Sequence, residues 1–542
     1  MIIRDEEINL SEGTVFKGGL ELKFVDPQEF ESLDGVDRAD YAPILARNIL
    51  RFFTMGWTES WTQFLTPAVL YSFFFQRDTA LLREVRFAMQ QGFLELFKQL
   101  QGKNLSREEG EQVQLYLSNC LSMLPYGDLT PYESITLPQC IDGHWDLVEY
   151  QVTPIELTEP RWWKSFFTYD NDRVFAYGLK PLFHEKAESH LIFMGTTYPA
   201  GQGFLTQVKT DTMGFETVGL SLYRSGRERI RTWLNQQKNT IHVCGVSLGG
   251  ALSLLLAIDK GNYKLSRVDA LNPPGLYEPL FKRSYDHWDD LKDKPRVVVQ
   301  KQGNDPVSAF GIWKKDWEIL QVVPPQDKQG PNAFCDHCLN YAGFADTEFR
   351  YVSAEEDNNQ RKTHHLLFNA IARSFLYYYV LVPYTYAVRP FGYYMLNKLL
   401  PQSSETSLEK NIMGLAKIHH PSLMRNQSMD MYHANNTVEI KLTYQQLNTY
   451  YQITRCLIKD KNFLPRKEQE NKHMQGITKK TLLTESDDTK NAHLQVPFKA
   501  TKAKASHILS TLSLVRQLGL DNKEKLKSIL EKHYETYRLG KH

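Results

Sequence analysis

The stretch TIHVCGVSLGGALSLLLAI, Thr240–Ile258, decides the fold of this protein. Thr240–Gly245 has the pattern of an apolar strand, and Ala251–Ile258 has that of an entirely apolar helix. A G-x-S-x-G pentapeptide centred on Ser247 lies between them. A strand that turns so sharply into a helix needs residues almost without side chains two places before and after the serine, and glycine stands in both. We therefore expect the serine on a strained turn, with its hydroxyl exposed above the sheet.

A serine in this position is suited to nucleophilic attack, and we predict that role for Ser247. The backbone N–H of Leu248, which begins the helix, would then donate to the negative charge that develops on an attacked carbonyl oxygen. The pentapeptide alone is common by chance. The strand before it, the helix after it and the additional Gly250-Ala251 favour the catalytic interpretation.

The hydrophobic pattern on both sides of this stretch predicts strands that alternate with helices. Gly219–Leu234 is an amphipathic helix, and short apolar runs predict strands at His190–Gly195, Arg267–Leu271, Arg296–Gln300 and Phe349–Ser353. Strands separated by helices form parallel sheets with both faces covered. We therefore expect an α/β fold with a mostly parallel sheet, in which Phe349–Ser353 is the last strand.

The length of the chain and its changes in composition predict three regions. A chain of 542 residues is too long for a single compact core. Residues 1–140 form a helical N-terminal region, a candidate lid or docking element, and residues 141–400 carry the α/β pattern. Residues 401–542 are polar and mainly helical, with a flexible linker predicted at 462–506.

The charge balance excludes one class of partner, and the cysteines indicate the compartment. Lys and Arg total 64 against 63 for Asp and Glu, so no global field attracts the chain to nucleic acid. Six cysteines in so long a chain form no disulfide framework, which favours a reducing compartment such as the cytoplasm. The N-terminus has acidic residues and lacks the apolar segment of a Sec signal. The alternative is export without such a signal.

A nucleophilic serine needs a histidine base and a carboxylate that orients it, in the chain order serine, acid, histidine. Asp305 follows the predicted strand Arg296–Gln300 and is the candidate acid; the alternative is that the Asp-Pro pair merely begins a turn. The adjacent His364 and His365 open an apolar helix after the predicted last strand, and both are candidates for the base. His337 is a third candidate and ranks below them because it precedes that strand.

His337 also lies between two cysteines, Cys335 and Cys338. The three side chains supply at most three metal ligands, and no second cysteine pair follows nearby, so a structural zinc site is not expected. The serine mechanism requires neither a metal nor a cofactor.

The segment Val243–Ala257, VCGVSLGGALSLLLA, resembles the nucleophile segment of the class 3 lipases, the fungal triacylglycerol lipase type. Val246 replaces the histidine that is usual in that family. Ile192–Thr197, IFMGTT, is similar to the strand end that forms part of the family's oxyanion hole. The resemblance implies that the backbone N–H and the hydroxyl of Thr196 complete an oxyanion hole with Leu248.

The likeness covers about residues 145–370. The turn that begins at Asp305 is similar to the family's acid turn, and the segment HLLF that begins at His365 matches its histidine segment. The resemblance therefore favours His365 as the base, with His364 second. It implies an α/β-hydrolase core and a serine hydrolase that cleaves carboxylic esters of lipids, as a lipase or phospholipase, through an acyl-enzyme on Ser247.

The residues leave two other functions open. An acyltransferase or thioesterase uses the same triad with a different acceptor or substrate. The second alternative is a hydrolase fold without catalytic activity that binds a membrane or a protein. The presence of Ser247, Asp305 and a histidine in the catalytic order favours an enzyme.

Two aromatic-rich stretches predict peripheral contact with a lipid surface. Tyr377–Val388 and Phe52–Phe75 combine aromatic and aliphatic side chains, but no stretch reaches the roughly 18 consecutive apolar residues of a spanning helix. Attachment would therefore occur by burial of one apolar face. The alternative for each stretch is a core helix that packs against the sheet.

Overall fold

The structure is a computed structural model that describes residues 15–24, 46, 49–54, 79–127, 129, 134–158, 173–199, 201–259, 261, 263–277, 286–360, 363–388 and 391. Almost all of these belong to one compact unit, Met1–Leu129 with Ile135–Lys398. Of the second unit, Thr130–Ser134 with Leu399–His542, Ser134 alone is described. The predicted C-terminal region 401–542 and its linker at 462–506 thus lie outside the described residues.

The described residues form a sheet of ten strands. In chain order these are β1 Val15–Lys17, β2 Ser134–Ile141, β3 His144–Glu156, β4 Phe175–Pro181, β5 Ser189–Phe193, β6 Ile241–Val246, β7 Leu265–Leu271, β8 Arg296–Gln302, β9 Glu318–Val323 and β10 Glu348–Val352. Their spatial order is β1-β10-β9-β8-β7-β6-β5-β4-β3-β2. The fold is therefore of the α/β class.

The sheet is mixed, which corrects the expectation of a mostly parallel one. Neighbours from β5 to β9 run parallel. The pairs β3–β4, β4–β5, β9–β10 and β10–β1 are antiparallel. Parallel neighbours need crossover connections. The predicted helices Gly219–Leu234 and Ala251–Ile258 lie in two of these central connections, β5–β6 and β6–β7. The sequence pattern predicts no strand over Glu318–Val323, so β9 lies outside the predicted parallel series.

The described helices surround this sheet. They are α1 Thr79–Leu100, α2 Arg107–Met123, α3 Phe204–Thr212, α4 Leu220–Asn235, α5 Leu248–Ala257, α6 Ala333–Cys338, α7 Ala354–Gln360 and α8 Thr363–Leu376. Two π-helical segments, Tyr377–Leu381 and Tyr384–Val388, follow α8. The N-terminal region predicted as helical contains α1 and α2, and it also supplies β1 and β2 to the sheet.

One face of the central strands is apolar, and α4 and α5 pack there. Because side chains alternate along a strand, every second residue of β5 to β8 points to this layer. Its buried members include Phe193, Val243, Val268 and Val299 of the strands, with Trp233 of α4 and Leu252 of α5. The apolar character of α5 on all sides follows from its position between this sheet and α4.

The opposite face is polar where α2 covers it. Arg267 and Arg296 each donate two hydrogen bonds to the carboxylate of Glu111, at 2.8–3.1 Å. Burial alone would raise the pKa of Glu111, but the two guanidinium groups lower it to about 2. The carboxylate is therefore ionised near neutral pH and joins α2 to β7 and β8.

Within the part of the chain that the structure describes, no helix combines the length and the apolarity needed to cross a lipid bilayer.

Candidate active site

Ser247 lies on a sharp turn between β6 and α5. Its backbone has φ 55° and ψ −122°, a conformation that residues other than glycine rarely adopt. The Ser247 N–H donates to the carbonyl of Leu271 on β7, and its carbonyl accepts from Ala251 within α5. These two bonds hold the residue in its strained conformation. The turn has the geometry expected from the pentapeptide.

The two glycines of the pentapeptide are required by close backbone contact. A Cβ atom on Gly245 would lie 2.4 Å from the carbonyl carbon of Gly249. A Cβ on Gly249 would lie 2.2 Å from the carbonyl oxygen of Phe193, at the end of β5. Neither position accommodates a side chain, so both glycines permit the turn to pack against the neighbouring strand.

Asp305 lies beyond the carboxyl end of β8, on the same edge of the sheet as Ser247. Its Oδ1 accepts from the Val307 N–H at 3.1 Å and its Oδ2 from the Ser308 N–H at 2.9 Å. The Ser308 hydroxyl also donates to the Asp305 carbonyl. The Asp-Pro turn named as an alternative is thus present, and its geometry orients the carboxylate.

The imidazole that contacts Asp305 belongs to His337. His337 Nδ1 lies 2.8 Å from Asp305 Oδ1; the carboxylate is completely buried and the imidazole is 18% exposed. An ionised carboxylate only accepts hydrogen bonds, so Nδ1 carries a proton. Nε2 of the neutral ring is then the basic nitrogen, as a base for Ser247 requires.

His337 is the candidate that ranks third in the sequence, and its contact with Asp305 leaves the predicted role of His365 or His364 untested. Both histidines lie in α8, and their side chains are outside the described residues. A role for either one therefore stays a prediction. His337 does precede the last strand, β10, as the sequence predicts; it follows the last parallel strand, β9.

The direction of the strands explains why His337 reaches Asp305. The strand β9 is parallel to β8, so the chain leaves β9 at the edge that carries Ser247 and Asp305. The helix α6, which contains His337, follows β9. The strand β10 is antiparallel to β9, and the chain leaves it at the opposite edge. A histidine that follows the last parallel strand can thus reach Asp305.

Two polar side chains join α6 to this edge. Asn272, at the end of β7 with φ 45°, donates through Nδ2 to the carbonyls of Asp336 and His337 at 2.9 and 3.0 Å. Its Oδ1 accepts from the N–H of Gln302 on β8. Asp336 in turn accepts from the N–H of Asn304, next to Asp305. These bonds position the His337 backbone relative to the acid loop.

Thr196 follows β5, and its hydroxyl is engaged with Asp211 of α3. Thr196 Oγ1 donates to Asp211 Oδ2 at 2.5 Å. Burial raises the pKa of Asp211 to about 6, against opposing effects of the Thr196 hydrogen bond, Arg373 and His337. The expectation that this hydroxyl donates to an oxyanion is therefore corrected. The backbone N–H of Thr196 is the group available for that role.

Leu248 offers the other expected donor. It is the first residue of α5, where backbone N–H groups have no partner within the helix. The Ser247 side chain makes no capping hydrogen bond to the helix. The N–H of Leu248 therefore lies beside the serine without a side-chain cap.

Comparisons of the chain with family models, with curated proteins and with solved structures gave no match. The resemblance to class 3 lipases therefore rests on the short patterns around Ser247, Thr196, Asp305 and His365. The chemistry of the site has to be argued from its geometry.

A second serine, histidine and aspartate meet beneath α2 and provide a contrast. Ser118 Oγ donates to Asp269 Oδ2 at 2.6 Å, and His242 Nε2 lies 3.0 Å from the same oxygen. His242 Nδ1 faces His190 Nδ1 at 3.0 Å. All four side chains are buried. Since the serine proton already binds the carboxylate and no substrate can approach, this cluster is structural.

Several residues at this end of the sheet could not be predicted from a pattern in the sequence. Asn272 and Asp336 act through backbone atoms distant in the chain, and Asp211 pairs with Thr196 across 15 residues. The pair Asp305–His337 satisfies the chain order, but the direction of β9 that brings the two side chains together is visible only in the strand pairing. In the described ranges no group of three or more His, Cys, Asp or Glu side chains has the arrangement of a metal site.

Proposed function

We propose that the protein is a serine hydrolase with an α/β-hydrolase core, in which Ser247 is the nucleophile, His337 the base and Asp305 the orienting acid. The observation that carries the proposal is the Asp305–His337 contact at the sheet edge where Ser247 occupies a strained strand-to-helix turn. Ser247, Asp305 and His337 follow β6, β8 and β9, three strands of one parallel series, which supports the proposal. Such a convergence is typical of nucleophilic catalysis.

The reaction follows from the proton positions. His337 Nε2 accepts the proton of the Ser247 hydroxyl while Ser247 Oγ forms a bond to the ester carbonyl carbon. Negative charge then develops on the carbonyl oxygen, and the backbone N–H groups of Leu248 and Thr196 donate to it. The imidazolium returns its proton to the departing alcohol, which leaves an acyl-enzyme. Water, deprotonated by His337, then attacks the acyl carbon; the bond to Ser247 Oγ breaks, Oγ regains the proton from the imidazolium, and the acid is released.

We propose carboxylic esters of lipids as the substrate class, together with peripheral contact to a lipid surface. The support is an exposed apolar patch on α8 and the π-helical segment after it, here called the aromatic surface. Its members are 47–69% exposed: Ile371, Phe375, Leu376, Tyr378, Tyr379 and Val380. The predicted stretch Tyr377–Val388 thus begins on the outside of the described fold. Most of Phe52–Phe75 lies outside the described residues.

The aromatic surface belongs to an element that packs beside the site. Arg373 of α8 donates to the carbonyl of Asp211 at 2.7 Å. A Cβ on Gly214, just beyond α3, would lie 2.1 Å from the carbonyl oxygen of Ala370. The helix that carries the patch therefore contacts the helix that anchors Thr196. A membrane bound there would deliver its esters close to Ser247.

Active-site labelling tests the proposed chemistry directly. A fluorophosphonate probe should label the wild-type protein and Ser118→Ala, whereas Ser247→Ala should not be labelled. The Ser118 variant is the matched control because that serine also contacts a histidine and an aspartate. A panel of short-chain esters, triacylglycerols and phospholipids then identifies the substrate. Equal labelling of all three proteins, or labelling of none, would contradict the proposal.

Vesicle flotation tests the lipid surface separately. Ser247→Ala should float with phosphatidylcholine vesicles, and Tyr378→Ser with Tyr379→Ser in that background should reduce flotation. Each tyrosine buries on the order of 100 Å² more in a bilayer, or about 2–3 kcal/mol at ~25 cal/mol per Å². Phe183→Ser is the control, because Phe183 is 66% exposed in the bend that follows β4, away from α8 in the chain. Flotation that is absent, or insensitive to the tyrosines, removes the interfacial role.

A further inference from the structure

We propose that Gln207 is a positioning residue that turns the backbone N–H of Thr196 toward the oxyanion; the proposal rests on the proposed serine hydrolase function. Gln207 lies on α3, and its side chain is completely buried. Its Oε1 accepts from the N–H of Thr197 at 2.8 Å, and its Nε2 donates to the carbonyl of Gly195 at 3.2 Å. One amide group thus binds the backbone on both sides of Thr196.

The planarity of the peptide bond transmits this contact to Thr196. The carbonyl of Gly195 and the N–H of Thr196 belong to one peptide unit, in which the two groups point in opposite directions. Because Gln207 holds the carbonyl toward α3, the N–H points away from α3. No acceptor among the described residues contacts that N–H. This N–H is therefore left for a ligand.

The carbonyl and the hydroxyl of Thr196 already have partners. Its carbonyl accepts from the hydroxyl of Tyr126 at 3.3 Å, and its own hydroxyl donates to Asp211. Gln207 and Asp211 are four residues apart, so they lie on the same side of α3. One helix therefore holds the peptide through Gln207 and the side chain through Asp211.

The segment also contacts the serine turn. A Cβ on Gly195 would lie 2.7 Å from the carbonyl oxygen of Val246, the residue before Ser247, and 2.4 Å from the Tyr126 hydroxyl. The peptide that Gln207 orients is therefore adjacent to the backbone that carries the nucleophile. A rotation of this peptide would exchange a donor for a carbonyl oxygen, which repels an oxyanion.

A glutamine suits this position because both contacts must come from one side-chain terminus. The amide supplies a donor and an acceptor in a fixed fork. An ionised glutamate supplies acceptors only, so it keeps the Thr197 contact and repels the Gly195 carbonyl. A methionine has a similar length and supplies neither contact. The two substitutions therefore separate anchoring of the loop from orientation of the peptide.

Steady-state kinetics on the short-chain ester that the wild type cleaves best tests the proposal. Gln207→Met and Gln207→Glu should each lower kcat on the order of 10²-fold, with KM within about twofold, as for loss of one oxyanion donor. Wild-type kcat in Gln207→Glu would overturn the proposal, because anchoring at Thr197 would then suffice. A rise in KM in both variants with kcat unchanged would overturn the proposal as well.

Gln112→Met is the matched control for stability. Gln112 is also completely buried and binds backbone groups of Leu20 and Ala342. Its loss should lower the thermal midpoint without a change in kcat. If Gln112→Met loses as much kcat as Gln207→Met, destabilisation explains both and the proposal fails.

A crystal structure of Gln207→Met decides the orientation without any turnover. The Gly195–Thr196 peptide should rotate so that its N–H no longer faces away from α3. An unchanged peptide would overturn the proposal even if the wild type is active. An inactive, unlabelled wild type would instead contradict the proposed function, and the rotation of the peptide would still be measured.

Discussion

Replacement of Asp305 by asparagine tests the central contact of the site. The carboxylate accepts three hydrogen bonds, from the N–H groups of Val307 and Ser308 and from His337 Nδ1, at 3.1, 2.9 and 2.8 Å. Asparagine has nearly the same shape but only one oxygen. The substitution therefore removes a charge and one acceptor without leaving a cavity.

The geometry allows the amide two orientations, and each impairs the base. With the NH₂ group toward His337, the ring must accept at Nδ1 and carries its proton on Nε2, so it cannot take the proton of Ser247. With the oxygen toward His337, the NH₂ group faces the N–H of Ser308, and no charge stabilises the imidazolium. We expect kcat to fall about 10⁴-fold, as in other triads, or ~5.5 kcal/mol at about 1.4 kcal/mol per tenfold.

The assay is kcat and KM on a soluble ester, with the rate of fluorophosphonate labelling as a second measurement. Asp259→Asn is the control, because Asp259 is also buried but binds Tyr223 and Arg227 at the far end of α5. It should keep wild-type kcat. If Asp305→Asn retains kcat within tenfold while its thermal midpoint is unchanged, the assignment of Asp305 and His337 is refuted.

Three further predictions concern the base and two buried carboxyl groups. His337→Ala should lose labelling and turnover by at least 10⁴-fold, whereas His364→Ala and His365→Ala should stay within tenfold of wild type; the reverse pattern in labelling rates would restore the expectation from the sequence. Asp211→Asn should gain stability relative to wild type as pH rises from about 4 through 6. The folded protein holds the Asp211 proton up to a pKa of about 6, whereas the unfolded chain releases it near the ordinary aspartate pKa of 3.8, so wild-type stability falls across that window; denaturant titrations at pH 4 and 8 measure the difference. Glu111→Gln should lower the free energy of unfolding by about 3–5 kcal/mol at pH 7, because the half-buried Arg267 and Arg296 each lose one of their two carboxylate partners. That difference should shrink as pH falls from about 4.5 toward 2, where the wild-type carboxyl is protonated; a constant difference in urea melts would argue against the ion pairs.

The sequence alone determined the strand-to-helix turn at Ser247. The turn is local: an apolar strand, two glycines and an apolar helix occur within 19 residues, and each requirement acts over short distances along the chain. The α/β class followed from the same kind of local periodicity. The acid position was also predicted, because Asp305 directly follows a strand that is recognisably apolar.

The tertiary structure decided which histidine meets that acid. The relevant fact is the direction of β9 and β10 in the sheet, which depends on pairing between strands and has no signature within either strand. Of these two strands, only β9 ends at the edge of the sheet that carries Ser247. Asn272 and Asp336 then hold α6 there through hydrogen bonds between residues 32 or more positions apart. The same applies to the oxyanion loop. Gln207 on α3 binds backbone atoms of Gly195 and Thr197, and any residue type would supply the same backbone atoms. The contact therefore has no sequence pattern, and only the folded chain reveals it.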